Sequence, residues 1–169
     1  MLKIRRYQAQ DNEAVKEMHY AGIMQMIEMD PDTERRDVPS QDMPFIDSDL
    51  DNIEDVYINN HGDFLVGIQG DEIVVIGAIR KVSATCGEIK RIRVRRECQR
   101  QGYGQTILLK LIERARELGY QELILDTSLY NPPAQQLFQK CGFVETSRGK
   151  IGPYDLVIYK KKLNKDKGG

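Results

Sequence analysis

Apolar and polar positions alternate from the start of the chain. Leu2, Ile4 and Arg6 fall on one side and Lys3, Arg5 and Tyr7 on the other, which predicts a first strand. Asp11 is placed to cap a helix running to about Met29, with Val15, Met18, Ile23, Met26 and Ile27 at roughly helical spacing. Met18, Met24, Met26 and Met29 read as a core stripe rather than an adaptable binding face. Pro31, Pro39 and Pro44 then break the chain, and a helical pattern resumes over residues 47–59. Residues 64–69 and 73–79 flank Gly70-Asp71 as a β-hairpin. Residues 88–94 form the next strand, with Ile89, Ile92 and Val94 as its apolar members. After a loop, Ile107, Leu108, Leu111, Ile112, Ala115 and Leu118 line one face of a helix that Gly119 ends. Leu123, Ile124 and Leu125 form a buried strand, parallel to the previous one because a helix crosses between them. Asn131-Pro132-Pro133 opens a last helix with Ala134, Leu137, Phe138 and Cys141 at i, i+3, i+4 and i+7, and Gly142 stops it. Residues 143–146 and 154–159 close the pattern as strands around a turn at 149–153. This order predicts an α/β (α+β layered) domain, largely antiparallel, with one parallel βαβ unit in the middle.

At 169 residues the chain fits a single domain, here residues 1–162, followed by a frayed basic tail at 163–169. Hydrophobic residues at 40% and charged residues at 30% exclude a disordered or membrane-embedded protein. A net charge of −1 argues against nucleic acid as a partner, and no apolar run is long enough for a signal peptide or a membrane span, so a cytoplasmic location is expected. Cys86, Cys98 and Cys141 form no CxxC, and His19 and His61 are isolated, so reduced thiols and no metal site are expected. Residues 28–55 hold eleven acidic side chains against Arg35 and Arg36, a solvated face or a surface that draws a cationic acceptor.

The sharpest chemistry lies in Gln99-Arg100-Gln101-Gly102-Tyr103-Gly104, between a strand and an amphipathic helix. Glycines let the backbone approach a ligand, and the unpaired N–H groups of a first helical turn bind phosphate. Arg93, Arg95, Arg96 and Arg100 add positive charge. A nicotinamide dinucleotide fingerprint is the competitor, since Gly102-Tyr103-Gly104 begins a GxGxxG and Asp126 lies roughly 20 residues on. Ile107 stands where the third glycine belongs, and the motif follows a hairpin in mid-chain rather than a first strand. No Gly-Lys-Ser/Thr follows, which excludes a Walker loop.

Gln99 to Gly104 matches, at every defined position, the cofactor-loop pattern of the GNAT superfamily of N-acetyltransferases: Gln or Arg, two residues, Gly, one residue, Gly or Ala. Asn131, Ala134, Leu137 and Cys141-Gly142-Phe143 resemble that family's second cofactor helix and its Gly-Phe, and Leu125-Asp126-Thr127-Ser128 is similar to the camello-like branch, which acetylates small amines and amino-acid conjugates. The resemblance implies a mixed, mostly antiparallel sheet of about seven strands, helices on both faces and a splayed parallel pair. It implies acetyl-CoA as acetyl donor, a small primary amine as acceptor, and direct transfer in a ternary complex. A homodimer is an arrangement common in the family. By the same resemblance Ile92, Arg93 and Val94 pair with the pantetheine arm, Gln99, Arg100, Gln101, Gly102, Tyr103, Gly104 and Gln105 surround the pyrophosphate, and Asn131 and Phe138 flank the arm near its thioester. Glu88 stands where some members place a general base, and the Ile92 N–H would hold the thioester carbonyl. The family's usual acid, a tyrosine four residues before the helix-ending glycine, is replaced by Phe138. A non-catalytic acetyl-CoA sensor and an acetyltransferase of peptide or protein amines are the alternative readings.

Overall fold

The computed structural model describes residues 1–29, 48–151 and 154–163. Within it a single mixed sheet runs in the spatial order β1 (Lys3–Arg6), β2 (Asp63–Gln69), β3 (Glu72–Lys81), β4 (Cys86–Val94), β5 (Glu122–Ser128), β7 (Tyr154–Lys162) and β6 (Val144–Ile151). Every neighbouring pair is antiparallel except β4 and β5. That parallel pair is joined through α2 (Tyr103–Glu117), the crossover a parallel connection needs. Helix α1 (Asn12–Met29) covers one face together with short turns at Ser48–Asp51 and Glu54–Ile58. Helix α2 and α3 (Pro132–Lys140) cover the other.

The cores on the two faces follow from alternation along the strands. Phe64, Val66, Ile76 and Ala78 pack on Val15, Met18, Leu50, Ile53 and Tyr57 on the α1 side. Ile79, Ile89, Leu123, Leu125, Val157 and Tyr159 pack on Leu108, Leu111, Ala115 and Phe138 on the α2 side. Burial of each such large side chain is worth roughly 1.5–3 kcal/mol.

Several expectations change in detail. Of the helical pattern expected at 47–59, the described residues 48–59 do not form a regular helix: a 3₁₀ turn is followed by a π-helical turn in which the Asn59 N–H reaches Glu54 O at 2.7 Å. The wider turn accompanies an inward Tyr57, whose hydroxyl donates to Asp49 at 2.5 Å. Of the α1 methionines Met18 is buried whereas Met24 and Met29 are exposed, so these three are not one core stripe, and the side chains of Met26 and Ile27 lie outside the described residues. Asp11 does not cap α1; its carboxylate turns back to the Gln8 N–H at 2.8 Å and to Arg5 at 2.7 and 2.9 Å. At the far end β7 runs through Lys162, and Leu163 is buried with its N–H on Gln121 O. Pro31, Pro39, Pro44, Pro153, residues 164–169 and most of the acidic 28–55 segment lie outside the described residues.

Asp63 ties β1, β2 and α2 together. Its buried carboxylate accepts from Arg6 at 2.9 and 3.0 Å, from Arg114 at 2.9 Å and from the Phe64 N–H at 2.9 Å. Asp63→Ala strands two arginines beside apolar surface. Because both guanidinium groups still reach water, the expected loss is about 3 kcal/mol, the lower end for breaking a buried pair. For a chain of this size that is ~6–12 °C in Tm. A thermal melt showing less than ~2 °C would assign Asp63 no such role.

Asp11 and Asp49 are both held below the ordinary carboxylate range. For Asp11 the main cause is the Arg5 hydrogen bond, and for Asp49 the opposing effect of burial is outweighed by its bonds to Arg91 and Tyr57. A lowered folded-state pKa contributes stability that is fully present above the unfolded value and is lost as pH falls through the folded one. The Tm should therefore stay level down to about pH 5 and fall below about pH 4, with a shallower fall in Asp11→Asn.

Candidate functional site

Pairing between β4 and β5 covers only Cys86 with Glu122, Gly87 with Leu123 and Glu88 with Ile124. Beyond Glu88 the strands part. From Ile89 onward the edge of β4 that faces β5 has no strand partner, while its other edge stays on β3 as far as Val94. This opening leads to a cleft of about 550 Å³ between the end of β4, the start of α2 and the start of α3.

The floor of the cleft is a bulge. Ile76 faces Arg93 and Ala78 faces Lys90, so Gly77 alone opposes both Arg91 and Ile92. Arg91 adopts φ 61°, the left-handed region that an arginine rarely enters. A β-carbon at Gly77 would stand 2.8 Å from both Ile92 Cδ1 and Leu111 Cδ1, so a larger residue here would have to push those two side-chain ends away. The extra residue directs Arg91 toward Asp49 on the α1 side and Ile92 toward the α2 core. Arg93 lies across Gly22 of α1, where a β-carbon would collide with it.

The rim is the loop before α2. Arg100 at φ 64° and Gly102 at φ 83° are both left-handed, which curls the loop. Gly102 is the helix N-cap and offers no side chain, and the first bond of the helix is from the Thr106 N–H to Gly102 O at 3.0 Å. The N–H groups of Tyr103, Gly104 and Gln105 therefore have no acceptor inside the helix and stand at its positive end. Opposite them, Asn131 caps α3 by accepting from the Ala134 N–H at 3.3 Å.

Of the residues singled out from the sequence, Ile92, Arg93, Val94, Gln99, Arg100, Gly102, Tyr103, Gly104, Gln105 and Asn131 line this one cleft. Gln101, Phe138 and Glu88 are not among its lining residues. Phe138 is buried in the core, its ring 6.1 Å from Phe143 and 6.3 Å from Tyr159. Glu88 occupies the last paired position of β4 before the strands part, on the sheet face opposite Ile89. The arginines divide: Arg95 donates to Ile73 O at 2.6 Å and Arg96 pairs with Glu28 at 2.5 Å, whereas Arg100 is exposed on the rim.

Tertiary structure adds Gln25 from α1 and Lys140 from α3. Gln25 and Gln99 exchange amide hydrogen bonds at 3.0 and 2.9 Å, and Gln99 also donates to Val94 O at 3.2 Å, so α1 and β4 both hold the loop's first residue. Seventy-four positions separate the two glutamines, and no local pattern marks their pairing. Cys98 is buried at the cleft edge, and burial raises the thiols of Cys86 and Cys141. Among the described residues no group of three His, Cys, Asp or Glu could hold a metal ion, and no helix is long and apolar enough to cross a membrane.

Comparison with known proteins agrees with this geometry. The chain is similar to the uncharacterized N-acetyltransferase YsnE of Bacillus subtilis, 34% identical over 77 residues that make up 44% of this chain and 51% of the relative. It is also similar to human N-acetyltransferase 8, 31% identical over 108 residues, or 60% of this chain and 47% of the relative. The chain thus spans about half the length of these curated relatives. An acetyltransferase of the GNAT family from Staphylococcus aureus shares the fold at TM-score 0.81 and 22% identity, over 97% of this chain and 100% of that one. The Salmonella typhimurium protein yncA, solved with its cofactor acetyl-CoA, shares it at TM-score 0.75 and 17% identity, over 98% and 96%. The family model described as the acetyltransferase (GNAT) family matches residues 24–143, a stretch that holds the bulged strand, the loop before α2 and α3, and the chain belongs to that family.

Proposed function

We infer that the protein transfers the acetyl group of acetyl-CoA to a primary amine of a small molecule or amino-acid derivative, by direct transfer in a ternary complex. The observation that carries this reading is the continuity of the cleft: an unpaired strand edge at Ile92 to Val94 runs into a left-handed loop that ends on the free N–H groups of α2. The edge suits the amides of a pantetheine arm, which can pair as a neighbouring strand would. The loop suits a pyrophosphate.

The Ile92 N–H lies in the bulge, where a residue is left out of the ladder and can donate to a thioester carbonyl. Glu88 is four residues before Ile92, about 10 Å along the bulged strand, so it takes the proton from the acceptor's ammonium through water rather than by contact, and the freed amine then attacks. Glu88 and Asp126 share one sheet face beside the opening and attract a protonated amine, while Glu122, on the closed side of the pair, faces Lys160 at 3.9 Å. Phe138 has no proton to give and lies in the core. The leaving thiolate, with a pKa near a cysteine's ~8.5, departs without a dedicated acid.

The test is twofold. Acetyl-CoA should raise the Tm, and a nicotinamide dinucleotide should not. Free thiol should then appear with small amines and not with basic peptides. Release with peptides alone would move the acceptor to proteins, and binding without release would leave a sensor of acetyl-CoA.

A further inference from the structure

Among the described residues three non-glycine positions have positive φ, and only Arg91 lies inside a strand. Its side chain is 12% exposed and grips Asp49 with both arms: Nε donates to Oδ2 at 3.0 Å and Nη2 donates to Oδ1 at 2.6 Å. Tyr57, fully buried, donates its hydroxyl to the same Oδ2 at 2.5 Å. One carboxylate thus ties the turn at Ser48–Asp51 and the turn at Glu54–Ile58 to the bulge of β4. Arg91 is held above its ordinary pKa, since the Asp49 pair outweighs the burial that would lower it.

The bulge decides which way the rest of β4 faces. If Arg91 relaxed into the extended region and the extra residue were absorbed, the register from Ile92 to Val94 would slip by one and each side chain would change face. Ile92 would leave its packing against Leu111, and its N–H would turn with it. The local conformational preference of arginine favours that relaxation, so something outside the strand must oppose it.

We propose that Asp49 and Tyr57 clamp Arg91 as a positioning residue, holding the β4 bulge in the shape that aims the Ile92 N–H at the thioester carbonyl. The proposal rests on the acetyltransferase reading above. It predicts a larger effect on the acetyl group than on cofactor binding as a whole, because the loop before α2 is also held by Gln25 and by α2 itself.

The experiment uses the full chain and compares Asp49→Asn with Asp49→Asn/Arg91→Gly. Asp49→Asn keeps the shape and removes the charge that holds Arg91. It should lower kcat by ~10-fold or more, approaching the ~10²–10³ of a lost oxyanion donor. It should weaken CoA binding by less than it lowers kcat and erase any tighter binding of acetyl-CoA over CoA, since the contacts of the loop with Gln25 and α2 are intact. Adding Arg91→Gly should restore most of the rate and of that preference, because glycine enters the left-handed region freely and no buried charge is stranded. A kcat for Asp49→Asn within about twofold of the parent, or a loss that Arg91→Gly does not rescue, overturns the clamp and leaves the pair a plain structural tie. If Asp49→Asn does not fold, Tyr57→Phe, which keeps the ion pair, should show the same pattern with a smaller drop, and an unchanged rate there overturns the proposal. If the parent turns over no amine, the acetyltransferase reading fails on its own. The clamp is then judged on the preference for acetyl-CoA over CoA, which Asp49→Asn must erase and the double variant restore.

Discussion

Gly104→Asp should abolish binding of acetyl-CoA while leaving the protein folded. Gly104 sits in the first turn of α2, and a β-carbon there would lie 3.3 Å from Leu137 Cδ2 and 3.6 Å from Val94 Cγ2, a contact that a flexible leucine end can relieve. The added carboxylate stands at a helix N-terminus, which stabilises it by ~0.3–1 kcal/mol, so the fold is not harmed. It occupies the amides that the pyrophosphate needs and sets like charge against like charge. Such juxtaposition costs several kcal/mol, so an affinity loss of ~100-fold or more is expected. Isothermal titration with acetyl-CoA, paired with a melt of the free protein, separates the two effects. Gly104→Ala, with no charge, should bind nearly as well as the parent. Equal affinity in the parent and in Gly104→Asp would mean that the phosphates lie elsewhere and would falsify the assignment of the cleft.

Glu88→Gln should lower kcat by ~10²–10⁴ at neutral pH, the usual value of general-base assistance, with the affinity for acetyl-CoA unchanged. The side chain lies at the last paired position of the parallel strands and is not among the lining of the cofactor cleft, so its loss touches proton transfer and not cofactor binding. Steady-state kinetics with a good amine acceptor checks this. A change below about threefold would return Glu88 to a solvated strand-end role. An equal loss in cofactor affinity would make its role electrostatic rather than basic.

Legibility differed from element to element for physical reasons. Helix α2 was plain because six apolar residues on one face and a C′ glycine are both local signals, and Gly119 does take φ 88°. Helix α3 was equally plain from Asn131 and its two prolines. The 48–58 region was misread because helical periodicity cannot distinguish a regular helix from turns reshaped by one inward tyrosine. The exposure of Met24 and Met29 is not legible because residue type does not say which side of a helix meets a sheet.

For this protein the sequence by itself determined the order of the strands, the glycine-containing turn into α2 and the asparagine cap of α3, since each depends on the intrinsic conformations of a few consecutive residues. It also contained the glycine opposite the bulge and the glutamines at 25 and 99, but nothing local gave these a meaning. Only the tertiary structure decided where β4 and β5 part, that Arg91 turns left-handed, and that Asp49 and Tyr57 converge on it. Those features arise from strand register and from contacts across 42 and 74 positions of chain. Register and long-range contact are fixed by how the whole sheet and its two cores pack, so the energies that select them come from no single segment.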